Sequence, residues 1–244
     1  MSEISTPLYF NAADDRRLAY NLRRGAQPTL VFLPGYASDM SGAKALALDA
    51  FAAARGLAVL RFDYSGTGES DGRFEEGTLN RWLEETLLMI DSLTEGPLVV
   101  VGSSMGGWLA LHAGLRRPER IRAMVGIAAA PDFTEWGFAQ SLRSELERTG
   151  RLEQHGQVTT AAFWRSGQAM KLLDGPIAIE CPVRLVHGEA DGDVPLEVAM
   201  RLLGQLRSAD VQLKIVKGGG HRLSEPHEID AILRSVAELV EPLS

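Results

Sequence analysis

Short apolar segments alternate with longer amphipathic segments along most of the chain. Leu8–Phe10 is predicted to form an antiparallel strand at one edge of a sheet. Because apolar segments alternate with helical ones, the pattern predicts an α/β domain with parallel strand–helix–strand units. Seven further segments have the length and the content of Val, Leu and Ile expected of buried strands: Arg17–Leu22, Thr29–Leu33, Leu57–Phe62, Leu98–Val101, Ile121–Ala128, Val183–Val186 and Val211–Val216.

Two helical segments show their periodicity clearly. Apolar residues recur at steps of three and four within Leu79–Leu93 and again within Ile229–Val240. Ser224 is placed to cap the second helix, with Pro226 in its first turn. We interpret the apolar side of each helix as the side that packs on the sheet.

The alternation stops between residues 131 and 180, a stretch too long for a simple loop. Two helices with an irregular, polar middle around His155 are predicted here, as a small helical lid inserted into a core of residues 1–130 and 181–244. Four aromatic side chains of the lid are candidates for the wall of a substrate pocket, with packing of the lid onto the core as the alternative: Trp136, Phe138, Phe163 and Trp164.

The composition is that of a folded protein. Of the 244 residues, 45% are hydrophobic and 23% are charged, values typical of a globular chain. The formal net charge of −7 argues against nucleic acid as a partner, since phosphate binding requires clustered lysine and arginine. No apolar run reaches the roughly 18 residues of a membrane span.

The N-terminus and the single cysteine bear on location. The opening sequence MSEISTPLYF lacks the basic and apolar segments of a secretory signal and the arginine-rich composition of a transit peptide. The sequence therefore predicts a cytoplasmic protein. Cys181 is the only cysteine, which excludes an internal disulfide and a thiolate metal cluster, and we expect it in the core.

A candidate nucleophile follows the strand Leu98–Val101. The sequence Gly102-Ser103-Ser104-Met105-Gly106 joins this strand to a helix, which is the setting of a nucleophile elbow. Glycines two residues before and after Ser104 allow the tight turn, whereas Ser103 has Val101 and Met105 at those positions. Ser104 also lies at a helix N-terminus, where developing negative charge is favoured. We therefore expect Ser104 to be the nucleophile.

An acid and a histidine follow later strands, in the chain order that such a serine requires. Asp191 is the preferred acid after Val183–Val186, with Glu189 and Asp193 as alternatives in the same loop. His221 follows the last strand and a run of three glycines. The other four histidines are interpreted as structural: His112, His155, His187 and His227.

Backbone N–H groups for an oxyanion hole are expected from two places. One is Met105, directly after the candidate nucleophile, and the other is Tyr36, in the loop after Thr29–Leu33. Gly35 gives that loop the freedom to turn. Together with the triad, these groups predict acyl transfer to Ser104 without a metal or an organic cofactor.

With these loops the chain resembles the α/β-hydrolase family of serine hydrolases along nearly its whole length. The loop Arg61–Ser70 also resembles the family's loop after its fourth strand. Leu33–Ala45, Gly102–Ala113 and Cys181–Gly188 are similar to the group of the mitochondrial palmitoyl-protein thioesterase and acyl-glucuronide esterase. The resemblance implies an α/β-hydrolase fold, with a mostly parallel eight-stranded sheet and helices on both faces.

The expected function is hydrolysis of acyl esters or thioesters, of small molecules or of acylated proteins, through an acyl-enzyme. Acyl transfer, perhydrolysis and carbon–carbon bond hydrolysis use the same triad and stay open, as do the oligomeric state and a silent, ligand-binding hydrolase fold. A dinucleotide site at Gly66-Thr67-Gly68 is disfavoured, because Asp71 stands where a third glycine is needed.

Overall fold

A computed structural model describes residues 6–12, 16–154 and 157–243, and eight of its strands form one sheet. The strands of the described residues are, in chain order, β1 (Leu8–Asn11), β2 (Arg17–Arg23), β3 (Ala26–Leu33), β4 (Leu57–Phe62), β5 (Leu98–Ser103), β6 (Ile121–Ile127), β7 (Arg151–Gln154), β8 (Gln157–Thr160), β9 (Val183–Gly188) and β10 (Val211–Val216).

The strand order of the sheet is β1-β2-β4-β3-β5-β6-β9-β10. Strand β2 is antiparallel to both of its neighbours, and the remaining pairs from β4 to β10 are parallel. The mostly parallel eight-stranded sheet expected from the sequence is thus confirmed. Since the carboxyl ends of parallel strands share one edge, the loops after β3, β5, β9 and β10 meet there.

Helices cover both faces of the sheet. They are α1 (Ala43–Arg55), α2 (Leu79–Leu93), α3 (Met105–Arg116), α4 (Phe133–Trp136), α5 (Gln140–Thr149), α6 (Ala161–Gln168), α7 (Leu196–Gln205) and α8 (Pro226–Val240). Alternate residues of β5 belong to the two cores: Val99 and Val101 pack with α1 and α8, and Leu98 and Val100 with α2, α3 and α7. A strand that is apolar at every position is what this double burial requires.

The insertion between β6 and β9 differs from the two helices expected there. It contains α4, α5 and α6 and a two-stranded antiparallel hairpin, β7–β8. Leu152 of β7 packs on Leu146 and Ala161 in a small separate core. The strand pattern is short and mostly polar, and this single buried side chain was too weak a signal to predict a strand. His155 lies outside the described residues.

Helix α8 begins one residue later than Ser224 would have placed it. Glu225 is the N-cap residue, and its N–H donates to the Glu228 carboxylate at 2.8 Å. The expected Ser224 cap is therefore wrong, because a capping box between two glutamates satisfies the helix end. No helix of the described ranges is long and apolar enough to cross a membrane.

Candidate active site

Ser104 occupies a sharp turn between β5 and α3. Its backbone has φ 53° and ψ −118°, a conformation that side chains other than glycine rarely adopt. A Cβ at Gly102 would lie 2.3 Å from the Gly106 carbonyl oxygen, and a Cβ at Gly106 would lie 2.1 Å from that of Leu33. The two glycines therefore allow the turn and α3 to approach the sheet closely.

The structure brings Ser104, His221 and Asp191 together. The Ser104 hydroxyl oxygen lies 3.1 Å from His221 Nε2. On the other side of the ring, His221 Nδ1 lies 2.9 Å from Asp191 Oδ2. These are hydrogen-bonding distances, so one imidazole connects a hydroxyl to a carboxylate.

Asp191 is held as a fixed anion that can accept a hydrogen bond from the imidazole. Its Oδ1 accepts the N–H groups of Asp193 and Val194, each at 2.9 Å, and its side chain is 1% exposed. Burial opposes ionisation of this carboxyl, but the hydrogen bonds from His221 and from the two N–H groups outweigh it and lower the pKa of Asp191. The free Oδ2 is left to orient His221.

The alternative acids have other surroundings. Glu189 accepts the Gly218 N–H at 3.0 Å and lies near the Lys217 ammonium on the surface. Asp193 is exposed and does not contact His221. The loop thus offers three carboxylates, and the one that reaches the imidazole is Asp191.

The other described histidines have contacts of their own. His187 Nε2 lies 2.9 Å from the Val194 carbonyl oxygen, and His112 Nε2 lies 2.8 Å from that of Met170. Burial lowers the pKa of His112. His227 is exposed on α8. Among the described residues no group of three His, Cys, Asp or Glu side chains is arranged to hold a metal ion.

The loops that carry Asp191 and His221 are fastened to each other. The N–H groups of Glu189 and Ala190 donate to the carbonyls of Val216 and Gly219, both at 2.9 Å. A Cβ at Gly188 would lie 2.2 Å from the Gly219 oxygen, so the two backbones pass in direct contact. The carboxylate and the imidazole are therefore fixed relative to each other independently of Ser104.

Two backbone N–H groups border the space in front of Ser104. Met105 is the first residue of α3, and Tyr36 is in the loop after β3. No acceptor is found for either N–H within the part of the chain that the structure describes. Gly35 brings the Tyr36 loop close, since a Cβ there would lie 3.3 Å from the Ser104 Cβ.

A cleft of about 500 Å³ opens beside Ser104 and His221. Its wall includes two cationic residues that sequence reasoning missed, Lys44 at the start of α1 and Arg222 directly after the histidine. The Lys44 ammonium donates to the Arg222 carbonyl. The one available signal was that Arg222 adjoins His221 in the sequence.

The four aromatic side chains expected in a substrate pocket are absent from the wall of this cleft. Phe138 and Trp164 pack in the small core of the insertion, and Trp136 packs on the main core with its indole N–H on the Pro131 carbonyl at 2.7 Å. Phe163 is buried against the Tyr36 ring at 4.8 Å between ring centres. In the structure these rings pack on other side chains, which is the alternative that the sequence left open, and a pocket role for them outside this cleft stays a prediction.

Asp63 is a buried carboxyl with a shifted pKa that the sequence did not predict. It follows β4, is 1% exposed, and accepts the N–H groups of Met40 at 2.7 Å and Glu69 at 2.9 Å. Burial raises its pKa to about 6, against the lowering effect of those two bonds. A Cβ at Gly68 would lie 2.0 Å from its carboxylate. Of the two glycines of the disfavoured dinucleotide site, Gly68 packs on Asp63 and Gly66 on the backbone of Arg73, and no α-helix starts there to bind a pyrophosphate.

Comparisons with known proteins agree with this architecture. The model of the α/β-hydrolase fold family matches residues 28–147. The mitochondrial palmitoyl-protein thioesterase ABHD10 of Homo sapiens is 38% identical over 97% of this chain and 80% of its own length. The structure of mouse α/β-hydrolase domain-containing protein 10 is 35% identical and superposes with a TM-score of 0.93 over 98% of this chain and 100% of that one. A hydrolase from Agrobacterium vitis S4 is 38% identical, with a TM-score of 0.89 over 96% and 98% of the two chains.

One expectation is overturned by these comparisons. The cytoplasmic location expected from the N-terminal residues is wrong on this ground, because the human, orangutan, bovine and mouse relatives that match nearly the whole chain are all mitochondrial proteins. Composition rules for targeting segments judge only a few residues, whereas these relatives match 97% of the chain. Both the family model and the identity to these relatives lead to one assignment. The chain belongs to the α/β-hydrolase family.

Proposed function

We propose that this protein is a serine hydrolase that cleaves acyl thioesters and acyl esters through an acyl-enzyme on Ser104. The observation that carries the proposal is the continuous set of hydrogen-bonding contacts from the Ser104 hydroxyl through His221 to Asp191. A hydroxyl at a helix N-terminus, next to an imidazole oriented by a buried carboxylate, is the arrangement that activated serine nucleophiles require.

Acylation begins when the Ser104 oxygen attacks the substrate carbonyl carbon. His221 Nε2 takes the hydroxyl proton, and Asp191 holds Nδ1–H and stabilises the imidazolium that forms. The carbonyl oxygen becomes an oxyanion and accepts hydrogen bonds from the N–H groups of Tyr36 and Met105. His221 then gives its proton to the departing thiol or alcohol as the carbon–heteroatom bond breaks.

Deacylation repeats these steps with water. His221 takes a proton from the water molecule, whose oxygen attacks the acyl carbon of the Ser104 ester. The second oxyanion accepts hydrogen bonds from the same two N–H groups. When this tetrahedral intermediate collapses, His221 returns the proton to the Ser104 oxygen and a carboxylic acid is released. No proton has to leave the site by another route.

The nucleophile is tested by Ser104→Ala, with Ser103→Ala as the matched control on the preceding residue. We expect Ser104→Ala to abolish hydrolysis of a p-nitrophenyl ester and labelling by a fluorophosphonate probe, while Ser103→Ala keeps both. Labelling that persists in Ser104→Ala would place the nucleophile elsewhere. Absence of labelling in the unmodified protein would favour a silent, ligand-binding hydrolase fold.

Thioesters are proposed as the preferred substrates because relatives that are 37–38% identical over 97% of the chain are palmitoyl-protein thioesterases. The measurement is kcat/KM for palmitoyl-peptide and acyl-CoA thioesters against oxygen esters of the same acyl chain. We expect the thioesters to be turned over faster. A strong preference for short oxygen esters contradicts this part of the proposal and leaves the role of Ser104 intact.

A further inference from the structure

The Tyr36 hydroxyl contacts the insertion, far away in the sequence. It donates a hydrogen bond to the Val158 carbonyl oxygen at 2.9 Å, and it lies 3.4 Å from the Thr159 hydroxyl. Val158 and Thr159 belong to β8 of the hairpin, whose strands are residues 151–154 and 157–160. The loop that presents the Tyr36 N–H to the substrate is thus bonded to the hairpin through its own side chain.

The Tyr36 ring is held by the same segment that bonds its hydroxyl. Phe163, at the start of α6, lies 4.8 Å from the Tyr36 ring centre, and Phe74 lies 4.9 Å away on another side. Thr160 caps α6 by accepting the Phe163 N–H at 3.1 Å. Val158, which bonds the Tyr36 hydroxyl, and Phe163, which packs on its ring, are therefore close in the sequence. The Thr160 cap between them fixes their relative position.

Helix α6 is in turn attached to the main core. The Ser166 hydroxyl accepts the N–H of Leu79, the first residue of α2, at 2.9 Å. A Cβ at Gly167 would lie 2.4 Å from Thr134, so α6 and α4 are in close contact. The support behind Tyr36 is consequently a packed part of the molecule.

The residue after Tyr36 has a strained backbone conformation, which surrounding contacts must stabilise. Ala37 has φ 54°, in the left-handed region that favours glycine. An alanine persists there only when surrounding contacts impose the conformation. Burial raises the pKa of the Tyr36 hydroxyl despite the opposing bond from Thr159, so the hydroxyl stays protonated and able to donate.

We propose that the Tyr36 side chain is a positioning group, which holds the Tyr36 N–H in the oxyanion hole by bonding to strand β8 of the hairpin. The hairpin then contributes to the rate of the chemical step and not only to the enclosure of the substrate. This inference rests on the proposed function, because the N–H matters only if an oxyanion forms next to Ser104.

The test is Tyr36→Phe, which removes the hydroxyl and keeps both the ring and the backbone N–H. We expect kcat to fall about 10-fold, between the roughly fivefold of one hydrogen bond and the 100-fold or more of a lost oxyanion donor. KM should change by less than about twofold, since the interaction is used only in the transition state. Tyr20→Phe on β2 is the matched control and should leave both constants unchanged.

A second readout reports the oxyanion directly. An alkyl boronic acid adds to the Ser104 oxygen through a new boron–oxygen bond, with the hydroxyl proton passing to His221, and gives a tetrahedral anion. Its inhibition constant should rise in Tyr36→Phe by the same factor as kcat/KM falls. A rise in KM with unchanged kcat and unchanged boronate affinity overturns the inference, because the hairpin would then act on substrate binding alone.

A variant of the hairpin tests whether the Tyr36 hydroxyl affects kcat through its contact with the hairpin. Replacing residues 153–158 with Gly-Ser-Gly removes Val158 and keeps Leu152 in the small core, and we expect about the same fall in kcat as in Tyr36→Phe. Because both changes break one contact, combining them should add little further loss. Fully multiplicative losses overturn the inference. Failure of the proposed function is distinct, since the unmodified protein would then show neither turnover nor fluorophosphonate labelling.

Discussion

At the scale of the residue, Asp63 is the acid whose environment differs most from that of a surface carboxylate. It is buried, and the two N–H groups that it accepts come from the loops on either side of it in space, at Met40 and Glu69. Met40 is also joined to β4 through the Arg61 guanidinium, which donates to its carbonyl at 2.5 Å. Asp63 thus ties the loop that follows β3 to the strand next to it.

The raised pKa of Asp63 predicts a pH-dependent stability. Because the folded state binds this proton more tightly than the unfolded chain, the contribution of Asp63 is favourable at low pH and is lost as pH rises from 3.8 to about 6. Asp63→Asn has no such titration, so its stability relative to the unmodified protein should improve by about 2 kcal/mol between pH 4 and pH 7. Urea unfolding at both pH values measures this difference, and an equal difference at the two contradicts it.

Sequence reasoning was effective for residues that directly follow strands. Asp191 and His221 could be selected because parallel strands bring their carboxyl ends to one edge. The roles of Tyr36 OH and Lys44 could not be predicted, because each contacts a partner more than 100 residues away. Nothing in the local pattern around either residue indicates that partner.

At the scale of the element, α3 illustrates why glycine can be required inside a helix. Gly106 faces the backbone of β3, and Gly114 faces Ile179 and Met124, each at a distance where a Cβ would collide. Gly106, Ala110 and Gly114 recur at steps of four and therefore lie on one side of the helix. Glycine lowers the intrinsic stability of the helix, but it allows the helix to pack in contact with the sheet.

The same substitution in two helices should act in opposite directions. Gly106→Ala places a methyl group 2.1 Å from the Leu33 carbonyl oxygen and should lower the melting temperature strongly, with loss of activity. Gly204→Ala on α7 meets nothing within 4 Å and should stabilise the protein by about 0.5–1 kcal/mol. Thermal unfolding followed by circular dichroism compares the two, and similar shifts would rule out the packing argument.

The strands of the sheet could be predicted because two-sided burial makes them apolar at every position. The hairpin β7–β8 could not, since Leu152 alone is buried from it, against Leu146 and Ala161, and the strands show little alternation. The cap of α8 was misplaced by one residue for a related reason. A glutamate pair replaced the hydroxyl that cap preferences favour.

At the scale of the whole molecule, the sheet is the frame on which segments far apart in sequence converge. Strands β5, β9 and β10 deliver Ser104, Asp191 and His221 to one edge, and the insertion reaches the same edge through Tyr36. Cys181 lies just before β9 and thus at the other end of that strand, half-buried beside the core. This places the single thiol away from the reaction.

The half-buried thiol of Cys181 should react faster when the fold opens. Burial raises the pKa of Cys181 to about 11, so the reactive thiolate is scarce at neutral pH. At pH 8 we expect Ellman's reagent to label it at least about 100-fold more slowly than an exposed cysteine introduced by Glu147→Cys. Labelling should accelerate in urea together with unfolding. Rapid labelling of Cys181 in the native protein would be inconsistent with its burial.

The division of the site between separately anchored loops has a consequence for redesign. The Asp191 carboxylate and the His221 imidazole are on segments joined by their own backbone hydrogen bonds, while the Ser104 hydroxyl is on a different turn. An exchange of the attacking atom, such as Ser104→Cys, therefore leaves the proton-handling pair in position. The residue at position 104 can therefore be exchanged in protein engineering while Asp191 and His221 are retained.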